Sequence, residues 1–232
     1  MNKYFAEFLG TFALVFAGAG AIVIDGLHAH AVTHVGIALT FGLVVMAMIY
    51  AVGETSGAHL NPAVTLGFCA ARRFPARQAF PYITAQLAGA FVASAILRAL
   101  FPASPTLGET LPAGPASQSF LLEFILTFLL MFVILRVATG SKEIGVMAGT
   151  AVGGVIALEA LFAGPVSGAS MNPARSLAPA LLSGHTTSLW IYLLAPVLGA
   201  LLAVPCWILT QPSSAGCPIT TIDPTSRVGS PQ

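Results

Sequence analysis

Apolar residues run along this chain in long blocks separated by short polar joints. Residues 8–24, 31–53, 78–97 and 189–210 contain no charged side chain. Residues 119–139 and 143–163 are equally apolar apart from an ion at either end and one glutamate within each. A helix needs about 20 such residues to cross a bilayer. The pattern therefore predicts six spanning helices that use nearly the whole chain. The first apolar run, Tyr4 to Ile24, is longer than the core of a secretory signal and leads straight into further apolar blocks. It is read as a retained helix.

Of the 232 residues, 56% are hydrophobic and only 7% charged, where a soluble domain carries about 25% charge. This is an integral membrane protein with no room for a soluble domain. A net charge of +1 gives no sign of a nucleic-acid partner. The charges bear on orientation instead. Lys3, Arg72, Arg73, Arg77, Arg136 and Lys142 fall on one side if the six spans alternate, and Arg98 falls near the other. By the positive-inside rule both termini are then cytoplasmic. Short loops and a compact chain point to a bacterial inner membrane. Cys69, Cys206 and Cys217 have neither metal nor disulfide spacing. Cys69 and Cys206 are expected as buried apolar filler, and no metal or cofactor is expected. Residues 211–232, rich in Pro, Ser, Thr and Gly, are expected to form a disordered cytoplasmic tail.

Two polar octets interrupt the pattern. SGAHLNPA spans 56–63 and SGASMNPA spans 167–174, with six of eight positions identical. They belong to a longer repeat, because EFLGTF from Glu7 is echoed by EFILTF from Glu123. The predicted unit is one domain, 1–210, made of repeats at about 1–100 and 119–210. Three spans per repeat is an odd number, so the second copy enters the membrane upside down. Inverted repeats place their functional site near the midplane, where the halves meet.

About ten apolar residues follow each octet before Arg72-Arg73 and Ser183-Gly184 respectively. At 1.5 Å per residue that is roughly half the hydrocarbon core. Neither piece can cross, so each must dip in and stop. Such backbone is tolerated only where it is buried in protein or lines a wet cavity. The fold class is therefore an all-α membrane protein with six spanning helices and two re-entrant half-helices. In each Asn-Pro-Ala (Asn61, Pro62, Ala63; Asn172, Pro173, Ala174), Asn suits the N-cap and Pro the first helical turn. The capping oxygen accepts a backbone N–H, leaving both amide hydrogens unspent. Four such hydrogens, with two positive helix ends, would converge on one station. The alternative is a pair of ordinary capped turns in loops.

These motifs resemble those of the aquaporin, or major intrinsic protein, family over residues 4–210. The resemblance implies a narrow pore, a homotetramer in the lipid bilayer, and passive conduction of water and small neutral solutes without enzyme chemistry. Asn61 and Asn172 would be the pore amides. Arg175, Phe41, Ala160 and Ala169 would form the outer constriction, and Glu7, Glu123 and His59 would support the re-entrant loops. An intramembrane arginine marks a pathway, although a buried salt bridge is the rival reading of Arg175. Water-only members usually hold a histidine where this chain has Ala160. The small Ala160 and Ala169, GPVSGASMNPARSLAPA and Tyr192-Leu193 resemble the nodulin-26-like branch, which passes glycerol, urea and metalloid hydroxides such as boric or arsenous acid. Ser176 and Ala180 depart from dedicated glycerol facilitators. Glu54 is placed near the inner mouth, and Glu159 is expected to be structural and satisfied by a hydrogen-bond partner. A water-selective pore and an ion-coupled inverted-repeat transporter are the alternative functions.

Overall fold

The computed structural model describes residues 1–141 and 145–211. The expected tail, including Cys217, lies outside the described residues apart from Gln211, and so does Lys142. Six helices are long and apolar enough to cross a membrane. They are α1 (Asn2–Leu27), α2 (Thr33–Ser56), α4 (Ala79–Leu100, entered through a 3-10 turn at Ala76–Gln78), α5 (Ala116–Ala138), α6 (Ala148–Ser167) and α8 (Leu189–Leu209). Two short helices accompany them among the described residues, α3 (Pro62–Ala70) and α7 (Pro173–Ser183). No strand occurs among the described residues.

The short helices stop for identifiable reasons. α3 ends where Arg72 takes a left-handed φ of 55° and the chain turns at Arg73. α7 ends at Gly184, a left-handed cap whose N–H bonds the Ala180 carbonyl, a common helix terminator. Nine and eleven residues respectively reach only about half-way across the hydrocarbon core.

Close backbone approach holds the long helices together, because apolar burial gives little drive inside lipid. α1 packs on α4 and α5 on α8. A Cβ on Gly89 would lie 2.2 Å from the Phe8 carbonyl oxygen, and one on Gly199 would lie 2.2 Å from that of Phe124. The contacts correspond residue for residue, so the two halves share one internal geometry. The halves meet where α2 packs on α6. A Cβ on Gly42 would sit 2.5 Å from the Gly153 carbonyl oxygen, and one on Gly153 would sit 2.6 Å from that of Gly42. That reciprocity marks the pseudo-twofold axis.

The basic side chains collect at one end. Lys3 donates to Gln78, Arg136 donates to the Thr210 carbonyl, and Arg73 stacks over Trp207. Arg98 reaches the Leu182 carbonyl at the other end. Cys69 and Cys206 are half-buried rather than sealed, a correction to their reading as filler.

Candidate functional site

Each octet begins on the last residue of a long helix and continues into a left-handed capping glycine, Gly57 at φ 85° and Gly168 at φ 84°. Past it, two residues again take positive φ: Ala58 and Leu60 in the first copy, Ala169 and Met171 in the second. Positive φ is uncommon and costly for residues with a side chain, so other contacts must hold these loops. The paired glutamates supply them. Glu7 accepts hydrogen bonds from the backbone of His59 (2.9 Å) and Leu60 (2.7 Å), from Ser56 Oγ and from Gln86. Glu123 accepts from the backbone of Ser170 and Met171 (both 2.8 Å) and from Ser167 Oγ. Both carboxylates are fully buried. Tyr82 and Tyr192 add matching ties, donating to the Ser56 and Ser167 carbonyls. His59 is buried, bonds Thr65 Oγ1 at 3.1 Å and stacks on Phe68.

The asparagines cap their helices. Asn61 Oδ1 accepts from the Ala63 N–H, and Asn172 Oδ1 from those of Ala174 and Arg175. The amide nitrogens revise the expectation of four free hydrogens. Asn61 Nδ2 donates to the Met171 carbonyl at 2.7 Å, and Asn172 Nδ2 donates to the Leu60 carbonyl at 2.9 Å. Each amide therefore spends one hydrogen on the opposite loop. The cause lies in the positive φ of Leu60 and Met171, which turns those carbonyls across the axis. One hydrogen per asparagine is left.

A cavity of about 790 Å³, including space open to solvent, runs past these groups. Its wall includes Asn61, Asn172, His59, Phe41, Ala169 and Arg175. Arg175 is 1% exposed, donates from Nη1 to the Gly108 carbonyl at 2.9 Å, and lies 5.1 Å over the Phe41 ring. Its Nε and Nη2 have no partner among the described residues. Phe41 is held against Gly18, where a Cβ would come within 2.2 Å of the ring. Ala160 is buried one turn beyond Ile156, the last α6 residue on the cavity wall. Pro62, Ala63, Pro173 and Ala174 are buried in the first turns of the half-helices.

Glu54 is exposed and does not line the cavity. Glu159 contradicts its expectation. It is 1% exposed, and neither carboxyl oxygen has a hydrogen-bond partner among the described residues. Its apolar neighbourhood on α6 offers no donor. Sequence reasoning missed three backbone partners, the carbonyls of Leu60, Met171 and Gly108. It also missed Glu109, which pairs with His185 at 2.6 Å. The motif reading of 56–63 and 167–174 carried no signal for any of them.

A family model described as Major intrinsic protein matches residues 1–207. Aquaporin NIP1-4 of Oryza sativa subsp. japonica is 57% identical over 201 residues, covering 86% of this chain and 73% of that protein. Nodulin-26 of Glycine max is 47% identical over 202 residues, covering 87% and 74% respectively. The fold is similar to the X-ray structure of the aquaglyceroporin from Plasmodium falciparum, with a TM-score of 0.81 and 29% identity, covering 90% of this chain and 98% of that one. These plant relatives lend no support to a bacterial membrane. With paired half-helices, capped Asn-Pro-Ala turns and these matches, the chain belongs to the major intrinsic protein family, in its nodulin-26-like branch.

Proposed function

We propose that the protein is a passive membrane channel for water and small uncharged solutes, including glycerol, urea and metalloid hydroxides, that excludes protons and ions. The observation carrying this reading is the set of unspent donors along one cavity. Arg175 presents free Nε and Nη2, and Asn61 and Asn172 each keep one amide hydrogen beyond the bond to the opposite loop. A solute oxygen leaving bulk water meets Arg175 first, while the Phe41 ring packs against its carbon side. At the station between the two caps, two amide hydrogens match the two lone pairs of a water oxygen. A water so held cannot accept a proton from its neighbour, and the hydrogen-bonded wire is interrupted. Arg175 and the two positive helix ends repel cations.

Phe41, Ala160, Ala169 and Arg175 serve as the constriction. Ala169 on the cavity wall, and Ala160 one turn beyond the last α6 wall residue, carry only methyl groups, and this favours passage of a polyol over water selectivity. The protomer is the single unit 1–210, with repeats at about 1–100 and 119–210, and it assembles as a homotetramer. The clustering of Lys3, Arg73 and Arg136 at one end supports cytoplasmic termini by the positive-inside rule.

Proteoliposome swelling with water, glycerol, urea and boric acid tests this for the wild type and Ala160→His. Glycerol flux should fall by about tenfold or more in the variant while water flux persists, an effect on the scale of rejecting a misfitting substrate. Glycerol flux unchanged in Ala160→His would refute the constriction assignment. A flux that depends on a sodium or proton gradient would favour the coupled transporter instead.

A further inference from the structure

The connection between α4 and α5, residues 101–115, carries three successive residues that each engage the second re-entrant arm. The Gly108 carbonyl accepts from Arg175 Nη1 at 2.9 Å. Thr110 Oγ1 donates to Ser176 Oγ at 2.7 Å, beside that arginine. Between them Glu109 is 8% exposed, accepts from Ser183 Oγ at 2.5 Å and pairs with His185 Nδ1 at 2.6 Å. Ser183 and His185 flank the glycine that ends α7.

The covalent geometry makes this arrangement consequential. The Gly108 carbonyl lies in the rigid plane of the 108–109 peptide. Gly108 itself has a φ of 69°, a conformation glycine enters and leaves easily. On one side the plane is wedged, since a Cβ on Gly108 would meet the Ala19 carbonyl oxygen at 2.5 Å. On the other side the Glu109 N–H of the same plane donates to the Thr106 carbonyl at 3.0 Å, and the Glu109 side chain ties the plane to Ser183 and His185.

We propose that Glu109 is the positioning residue of the arginine constriction. By gripping Ser183 and His185 it fixes the Gly108 carbonyl, and so the direction in which Arg175 presents Nε and Nη2. A polyol needs two donors aimed at neighbouring hydroxyls, whereas water needs one. Loosening the grip therefore penalises polyols more than water. This rests on Arg175 being the solute contact proposed above.

The test uses the full-length chain in liposomes, with glycerol and water permeabilities measured per channel. Glu109→Ala should lower the glycerol-to-water ratio by about three- to tenfold, the range of one typical net hydrogen bond. Glu109→Gln keeps an acceptor for His185 and a donor for Ser183 Oγ, and it should restore most of the ratio. Ser183→Ala removes one of the two ties and should shift the ratio in the same direction by less. It also covers the case in which Glu109→Ala fails to fold. Ratios for the alanine variants that stay within about twofold of the parent overturn the proposal, since one lost hydrogen bond should exceed that. If the parent passes water but no glycerol, the proposed solute range fails instead, and the structure of Glu109→Ala decides. Departure of Arg175 Nη1 from the Gly108 carbonyl supports the positioning role. A contact kept near 2.9 Å overturns it.

Discussion

Asn61 and Asn172 each do two jobs with one side chain. The oxygen caps the half-helix below it, and the nitrogen ties its tip to the opposing loop. Replacing either by alanine removes a cap worth about 1 kcal/mol and leaves a buried carbonyl unpaired, a further cost of about 1–3 kcal/mol. Asn61→Ala and Asn172→Ala should therefore lower the thermal unfolding midpoint in detergent by similar amounts. A variant as stable as the parent would show that the cross-axis bonds carry little. The Phe41 ring offers a separate check. Alanine at Gly18 would put a methyl 2.2 Å from that ring and push it toward the cavity it lines. Gly18→Ala should reduce glycerol flux more than water flux in swelling assays, since ring displacement narrows the side that faces carbon. Equal reduction of both would mean a general packing defect.

At the scale of the element, the re-entrant arms are strained segments held by carboxylates. Their apolar length and capping pair were legible as two half-helices, because Asn-Pro at a helix start and Arg-Arg or Ser-Gly at its end are local signals. The turning of the loops was not legible. It depends on positive φ at Ala58, Leu60, Ala169 and Met171, residues with no preference for that conformation. The two anchors also differ in a way the motifs hide. Glu7 takes a bond from Gln86 Nε2. Three residues before the equivalent glycine, Gly199, the second half has Pro196 with no donor to offer. Glutamine at either glutamate keeps the shape but turns an amide N–H toward a backbone donor, at a cost of about 1.5–3 kcal/mol for a charge-assisted bond. Glu7→Gln and Glu123→Gln should both lower water permeability per channel and thermal stability together. Full conduction in either variant would show that the loops hold their shape without a carboxylate.

Across the whole molecule, six apolar runs and a doubled octet were enough to recover the architecture, because lipid leaves a chain few ways to satisfy its backbone. The site was recovered less completely. Asn61, Asn172 and Arg175 meet in one cavity wall, but the carbonyls that aim them come from distant loops and carry no letter of their own. Glu159, buried without a partner among the described residues, shows the same limit from the other side. Its burial depends on helix rotation, which a uniformly apolar α6 does not encode. What does encode assembly of the halves is the glycine pair at their junction. The α2–α6 contact lets Gly42 and Gly153 approach backbone to backbone, so neither position can relax by moving a side chain. Gly42→Ala and Gly153→Ala should each cost about 1–3 kcal/mol by overpacking. They press on the same surface, so separating the helices once relieves both. A double-mutant cycle read from unfolding in detergent should therefore give a combined loss smaller than the sum, with a coupling of about 0.5–3 kcal/mol. Simple additivity would mean the two glycines yield independently, and the junction would then be two separate contacts rather than one axis.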